Sequence, residues 1–111
     1  MSDIREKMAF EDGIRMEILR ILNLTWDDGI LKTANGREIS YDNYKFVDLF
    51  DRVVKLNNNR IVSGVYLWGD LCVELYESDN IDVTDCEAVN CSLFSVDVLK
   101  QVLTILENYG N

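Results

Sequence analysis

The chain has 111 residues, of which 48% are hydrophobic and 28% charged, a composition that predicts one globular domain over residues 1–111 and excludes a disordered one. Its formal net charge of −9 argues against direct binding of nucleic acid or of an anionic membrane. Histidine is absent, which removes Ser-His-Asp and Cys-His catalysis and histidine-based zinc sites.

The first predicted element is a helix over residues 2–22. Ser2 can cap it, and Asp3 and Glu6 suit the positive end of its dipole. Ile4, Met8, Ile14, Ile18, Ile21 and Leu22 fall near one face, and Gly13 marks a break within it. Two turn dipeptides, Asp28-Gly29 and Asn35-Gly36, divide residues 24–41 into a three-stranded meander. Ser40 or Asp42 then caps a second helix running to about residue 56. Phe46, Val47, Phe50, Val53 and Val54 form its apolar stripe, and Asn57, Asn58 and Asn59 end it.

Segments 61–68 and 71–76 flank Gly69-Asp70, which reads as a two-residue type II′ hairpin loop. That register sets Trp68 opposite Leu71, Tyr66 opposite Val73 and Gly64 opposite Leu75, an apolar face for the core. Trp68→Ala would then cost about 3–5 kcal/mol. The opposite face carries Ser63, Val65, Leu67, Cys72, Glu74 and Tyr76. Residues 81–83 read as a further short strand. Ser95 caps a last helix to about residue 108, with Leu99, Val102, Leu103 and Leu106 inward and Gly110 ending it. The expected fold class is α+β: a small antiparallel sheet of two hairpins packed on one face by about three helices.

No catalytic or metal-binding residue and no cofactor is expected. Cys72, Cys86 and Cys91 supply three possible ligands where a structural zinc site uses four, so free thiols are the simpler reading. Asp79, Asp82 and Asp85 miss the ligand spacing of a calcium loop, and the six glycines form no phosphate-cradling motif. The pairs Asp27-Asp28 and Asp48/Asp51 have structural explanations, in a turn and on an exposed helix face. Lysine, tyrosine and carboxylate chemistry remain open. The charged N-terminal stretch lacks the apolar run of a secretory signal, and no segment is long and apolar enough to span a bilayer. The expected location is therefore the cytoplasm, away from membranes.

The charge is unevenly spread. Between Arg60 and Lys100 there is no basic residue, and that stretch holds eight acids: Asp70, Glu74, Glu77, Asp79, Asp82, Asp85, Glu87 and Asp97. Residues 1–60 hold eleven acids against ten bases. Such charge serves solubility, and it also suits a surface presented to a basic partner. The expected role is a non-catalytic module that docks a basic protein partner through Glu77, Asp79, Asp82, Asp85, Glu87 and Tyr76. Antagonism of a nucleic-acid-binding protein is one form of it. The alternatives are a small enzyme or ligand-binding domain using carboxylates or tyrosine, marked by a deep pocket, and a homo-oligomeric subunit, marked by a large apolar patch.

Overall fold

A computed structural model describes residues 2–81 and 84–109; the side chains of Ser2 and Asp3 are not described. The elements run α1 (Ser2–Leu22), β1 (Thr25–Asp27), β2 (Ile30–Lys32), β3 (Glu38–Ile39), β4 (Tyr44–Asp48), β5 (Val54–Lys55), β6 (Arg60–Trp68), β7 (Val73–Asp79), β8 (Cys86–Asn90), a 3₁₀ turn (Cys91–Leu93) and α2 (Val96–Glu107). The class is α+β. Strands β1, β2 and β3 form a small sheet, and β4, β6, β7 and β8 lie side by side in a larger one, with β5 also paired to β6.

Two α-helices are described rather than three. The segment expected to be the second helix is instead β4, a turn and β5. Phe46, Val47, Phe50, Val53 and Val54 do recur at helical spacing, but the same stretch also alternates. Val47 and Leu49 are buried while Tyr44, Phe46 and Asp48 are exposed. Aromatic and β-branched residues at period two favour the strand once a neighbour supplies a ladder. Pairing of Tyr44 with Trp68 through Asp48 with Gly64 supplies it. Asn57, Asn58 and Asn59 accordingly form a hairpin loop, with Asn59 at φ +68°.

The β6–β7 hairpin exists, but its register is one residue away from the expected one. Leu67 faces Val73, Tyr66 faces Glu74, Val65 faces Leu75 and Gly64 faces Tyr76. The loop has three residues. Leu71 N–H donates to Trp68 O at 2.8 Å, Trp68 N–H donates to Cys72 O at 2.9 Å, and Leu71 adopts φ +71°. This is a type I turn closed by a left-handed residue, a position that normally attracts glycine. The loops at Gly36 and Asn59 repeat the same pair of hydrogen bonds, with residues suited to it. A one-residue slip exchanges the faces of a strand. Val65, Leu67, Val73 and Leu75 therefore point inward, and Tyr66, Trp68, Glu74 and Tyr76 outward.

The core lies between that inner face and the two helices. Val47, Val62, Val65, Leu67, Val73 and Leu75 meet Ile14 and Ile18 of α1 and Leu99, Val102 and Leu106 of α2 in one cluster, which Leu31 and Ile39 of the small sheet join. Each fully buried Val, Leu or Ile contributes about 1.5–3 kcal/mol. Helix α1 is continuous through Gly13, where a β-carbon would come within 3.0 Å of Leu103 Cδ2. Gly13 thus lets α2 approach rather than breaking the helix. Ile4 and Met8, expected on the apolar face, are exposed. Ser95 caps α2 as expected, accepting from Val98 N–H at 3.3 Å. Gly110 lies outside the described residues. The strand expected at 81–83 is not formed at Ile81, which sits in a bend and is 93% exposed, and Asp82 and Val83 lie outside the described residues. The strand in this region is β8, further along.

Candidate functional site: the outer sheet face

The slipped register places five aromatic rings on the side of the large sheet facing away from the helices. Tyr44 and Phe46 come from β4, Tyr66 and Trp68 from β6, and Tyr76 from β7. Tyr66 is the hub, with ring centroids 5.0 Å from Tyr44, 4.9 Å from Phe46 and 5.9 Å from Tyr76. Tyr44 also lies 5.2 Å from Trp68, and Phe46 lies 5.7 Å from Tyr76. These separations and tilted or edge-on arrangements are those at which aromatic pairs attract. Gly64 makes the packing possible: a β-carbon there would stand 2.2 Å from Phe46 Cζ, so the Phe46 ring lies across the bare glycine. The platform remains accessible, with Tyr44 and Phe46 exposed and Tyr66, Trp68 and Tyr76 half-buried.

Carboxylates border the rings. Trp68 Nε1–H donates to Glu74 Oε1 at 2.7 Å, and Asp48 stands across from Gly64 on β4. Among the described residues, no lysine or arginine occupies an outward position of β4, β6, β7 or β8; Lys55 of β5 lies at the far end, opposite Ile61. Burial pushes the Tyr66 phenol up, helped by the nearby Tyr44, Cys86 and Glu74. A hydrogen bond with the Cys86 thiol pushes the Tyr76 phenol up, followed by burial. Both phenols therefore stay neutral donors over the physiological range. The face can stack on, and hydrogen-bond to, a cation or a planar group.

The residues singled out from the sequence are divided between the two faces. Tyr76 belongs to the aromatic platform. Glu77 and Glu87, opposite each other on β7 and β8, point the other way and gather with Asp85 around Arg60. Arg60 Nε donates to Glu77 Oε1 at 2.7 Å and Nη1 to Asp85 Oδ2 at 3.2 Å, with Glu87 3.9 Å from Nη2. Glu77 is only 8% exposed. Its hydrogen bond holds the Arg60 guanidinium above its ordinary value, against burial. Asp79 Oδ1 accepts from Ile81 N–H at 2.7 Å in the β7–β8 loop, and Asp82 lies outside the described residues. Arg60 is the last base before the long acidic stretch, and strand pairing brings it across to three of those acids. Tyr44, Phe46, Tyr66, Trp68 and Glu74 were not picked out from the sequence as a surface. The signal was the alternation Tyr44-x-Phe46, Tyr66-x-Trp68 and Glu74-x-Tyr76.

A concavity of about 430 Å³ opens between β2, β3 and the turn after β3. Three of its lining side chains already hydrogen-bond nearby groups. Ser40 Oγ–H donates to Asp42 at 2.8 Å, Asn43 Nδ2–H donates to Ser40 Oγ at 3.0 Å, and Tyr41 Oη–H donates to Gly29 O at 3.4 Å. Among the described residues no helix is long and apolar enough to cross a membrane. No protein-family model matches this chain, and no curated protein or solved structure matches it.

Proposed function

We propose that the chain is a non-catalytic protein-binding module that docks a basic protein partner on the outer sheet face, acting in the cytoplasm, with antagonism of a nucleic-acid-binding protein as one form of that role. The observation that carries this reading is the run of five touching rings on β4, β6 and β7, bordered by Glu74 and Asp48, with no lysine or arginine at an outward position of those strands among the described residues. Tyrosine and tryptophan are favoured anchors of interfaces, and their faces attract arginine and lysine. The net charge of −9 adds long-range steering toward a basic surface. A small-ligand or enzymatic role would use the cleft beside Tyr41, where Ser40, Tyr41 and Asn43 already hydrogen-bond nearby groups.

The test is titration of an arginine–valine alternating heptapeptide into the wild-type chain and into Trp68→Ala, Tyr76→Ala and Glu74→Gln, over a range of salt. The expected result is binding that weakens with salt and in each variant, with the fold intact by circular dichroism. Binding indifferent to all three substitutions would sink the reading.

A further inference from the structure

Strand β8 is one of the two edges of the large sheet, β4 being the other. Cys86–Asn90 pair with β7 alone, in an unshifted register from Ser78 opposite Cys86 to Glu74 opposite Asn90. Among the described residues no strand pairs with its other side. Natural edge strands are blunted by proline, by charged side chains and above all lysine, by inward-pointing charges, by a bulge or by extreme shortness. The chain has no proline, and β8 holds no base, no bulge and a full five residues. The one guard it does carry is Glu87, which points to the inner face 3.9 Å from Arg60; a carboxylate there disfavours an acidic strand and admits a basic one. Alternate N–H and C=O groups of a strand point to each side, so β8 offers an open ladder to an extended chain.

We infer that this edge accepts an extended basic segment of the protein partner by strand addition, and that an arginine or lysine of the segment reaches over Ala88 onto Tyr76 and Glu74. The inference rests on the basic-partner reading and adds the mode of capture. An added strand would lie about 4.8 Å beyond β8 and about twice that from β7. Ala88 stands directly opposite Tyr76 and Asn90 opposite Glu74. The alanine leaves a low crossing between the edge and the aromatic platform. Arginine and lysine span such a gap with their methylene stems and carry the charge to the far end. Main-chain bonds to the edge and side-chain contacts on one face are the two components of recognition by strand addition. Charge selects the occupant: a second copy of this chain would set Glu87 and Asp85 against their own like on a body of net charge −9, whereas a basic segment meets complementary charge.

The experiment uses the full chain and the arginine–valine heptapeptide, together with two versions N-methylated on the arginines only or on the valines only. A strand bonds a sheet edge through every second residue. One methylated version should therefore lose at least about tenfold in affinity while the other stays within about threefold of the parent. Ala88→Lys should also weaken the parent peptide, and β8 amides should exchange more slowly in the complex. Two methylated peptides that bind like the parent would overturn strand addition while leaving side-chain capture on the aromatic face standing. Equal loss by both, or full affinity for Ala88→Lys, would overturn it as well. Absence of binding by any peptide at about 50 mM salt would overturn the basic-partner reading itself. Dimerisation of the chain through β8 would assign the edge to a second copy instead.

Discussion

Arg15 Nε–H donates to the carbonyl oxygen of Leu71 at 2.9 Å, which ties the middle of α1 to the tip of the β6–β7 hairpin. Leu71 is the residue forced into left-handed backbone, at φ +71°, and it also packs against the core. The guanidinium is itself oriented by Asp12 and Glu11, one turn back on the same helix. Arg15→Ala is expected to destabilise the protein by about 1.5–3 kcal/mol, the range for hydrogen bonds to charged groups. Arg15→Lys should recover little, because an ammonium cannot reproduce the guanidinium fork. Urea unfolding of the two variants checks this; wild-type stability in both would show that the hairpin tip holds itself.

Glycines 69 and 64 separate two kinds of crowding. A β-carbon at Gly69 would stand 2.0 Å from the carbonyl oxygen of Ser40, which is backbone and cannot swing aside. One at Gly64 would meet mainly the Phe46 ring. Gly69→Ala is expected to cost about 3 kcal/mol or more, and Gly64→Ala about 1–3 kcal/mol, the range for overpacking. Phe46→Ala should relieve much of the second and none of the first. Thermal melts of the singles and of both doubles read this out, and additivity at Gly64/Phe46 would contradict the packing.

Arg60 holds Glu77, Asp85 and Glu87 together. Arg60→Ala leaves the nearly buried Glu77 without its cation, so its melting temperature should fall further than that of Glu87→Gln or Asp85→Asn. Adding Glu77→Leu to Arg60→Ala should restore part of the loss. A double-mutant cycle with no coupling between Arg60 and Glu77 would refute the account.

Burial pushes the Cys91 thiol up to about 12 from an ordinary value of 9.0. The folded state therefore holds this proton where the unfolded chain releases it. The stabilisation is present in full below pH 9 and is lost as pH rises toward 12, at up to about 1.4 kcal/mol per pH unit. Unfolding free energies measured from pH 8 to 11 should fall less steeply in Cys91→Ala than in the wild type. Parallel slopes would mean that other groups govern the alkaline limit.

What the sequence disclosed follows from how local each signal was. The Ser95 cap and its apolar stripe, and the Asp28-Gly29 turn with φ +52° and +78°, are local and appear as expected. The hairpin register was hidden because a leucine occupies the left-handed position, so Gly69-Asp70 read as a complete two-residue loop. That residue decided which face was core. Trp68 consequently lies beside Tyr44 on the outer face, and Trp68→Ala should cost about 1–2 kcal/mol rather than the 3–5 of a core tryptophan. Strand β4 was hidden because its apolar residues satisfy two periods at once, and only β6 chooses between them. Strand β8 reads Cys-Glu-Ala-Val-Asn, which carries little strand pattern of its own and forms against β7.

The large sheet is a meander, in which each strand pairs with one close in sequence, as Leu67 does with Val73. The contact of Gly13 with Leu103, by contrast, spans ninety positions. Closing a loop of that length costs chain entropy that the hairpins do not incur. The sheet should therefore form early on the route to the native state, and the α1–α2 clasp should close after the rate-limiting barrier. Ile14→Val would then quicken unfolding and leave the refolding rate nearly unchanged, whereas Val65→Ala would slow refolding. Chevron plots of the two variants distinguish this order from one in which the helices dock first.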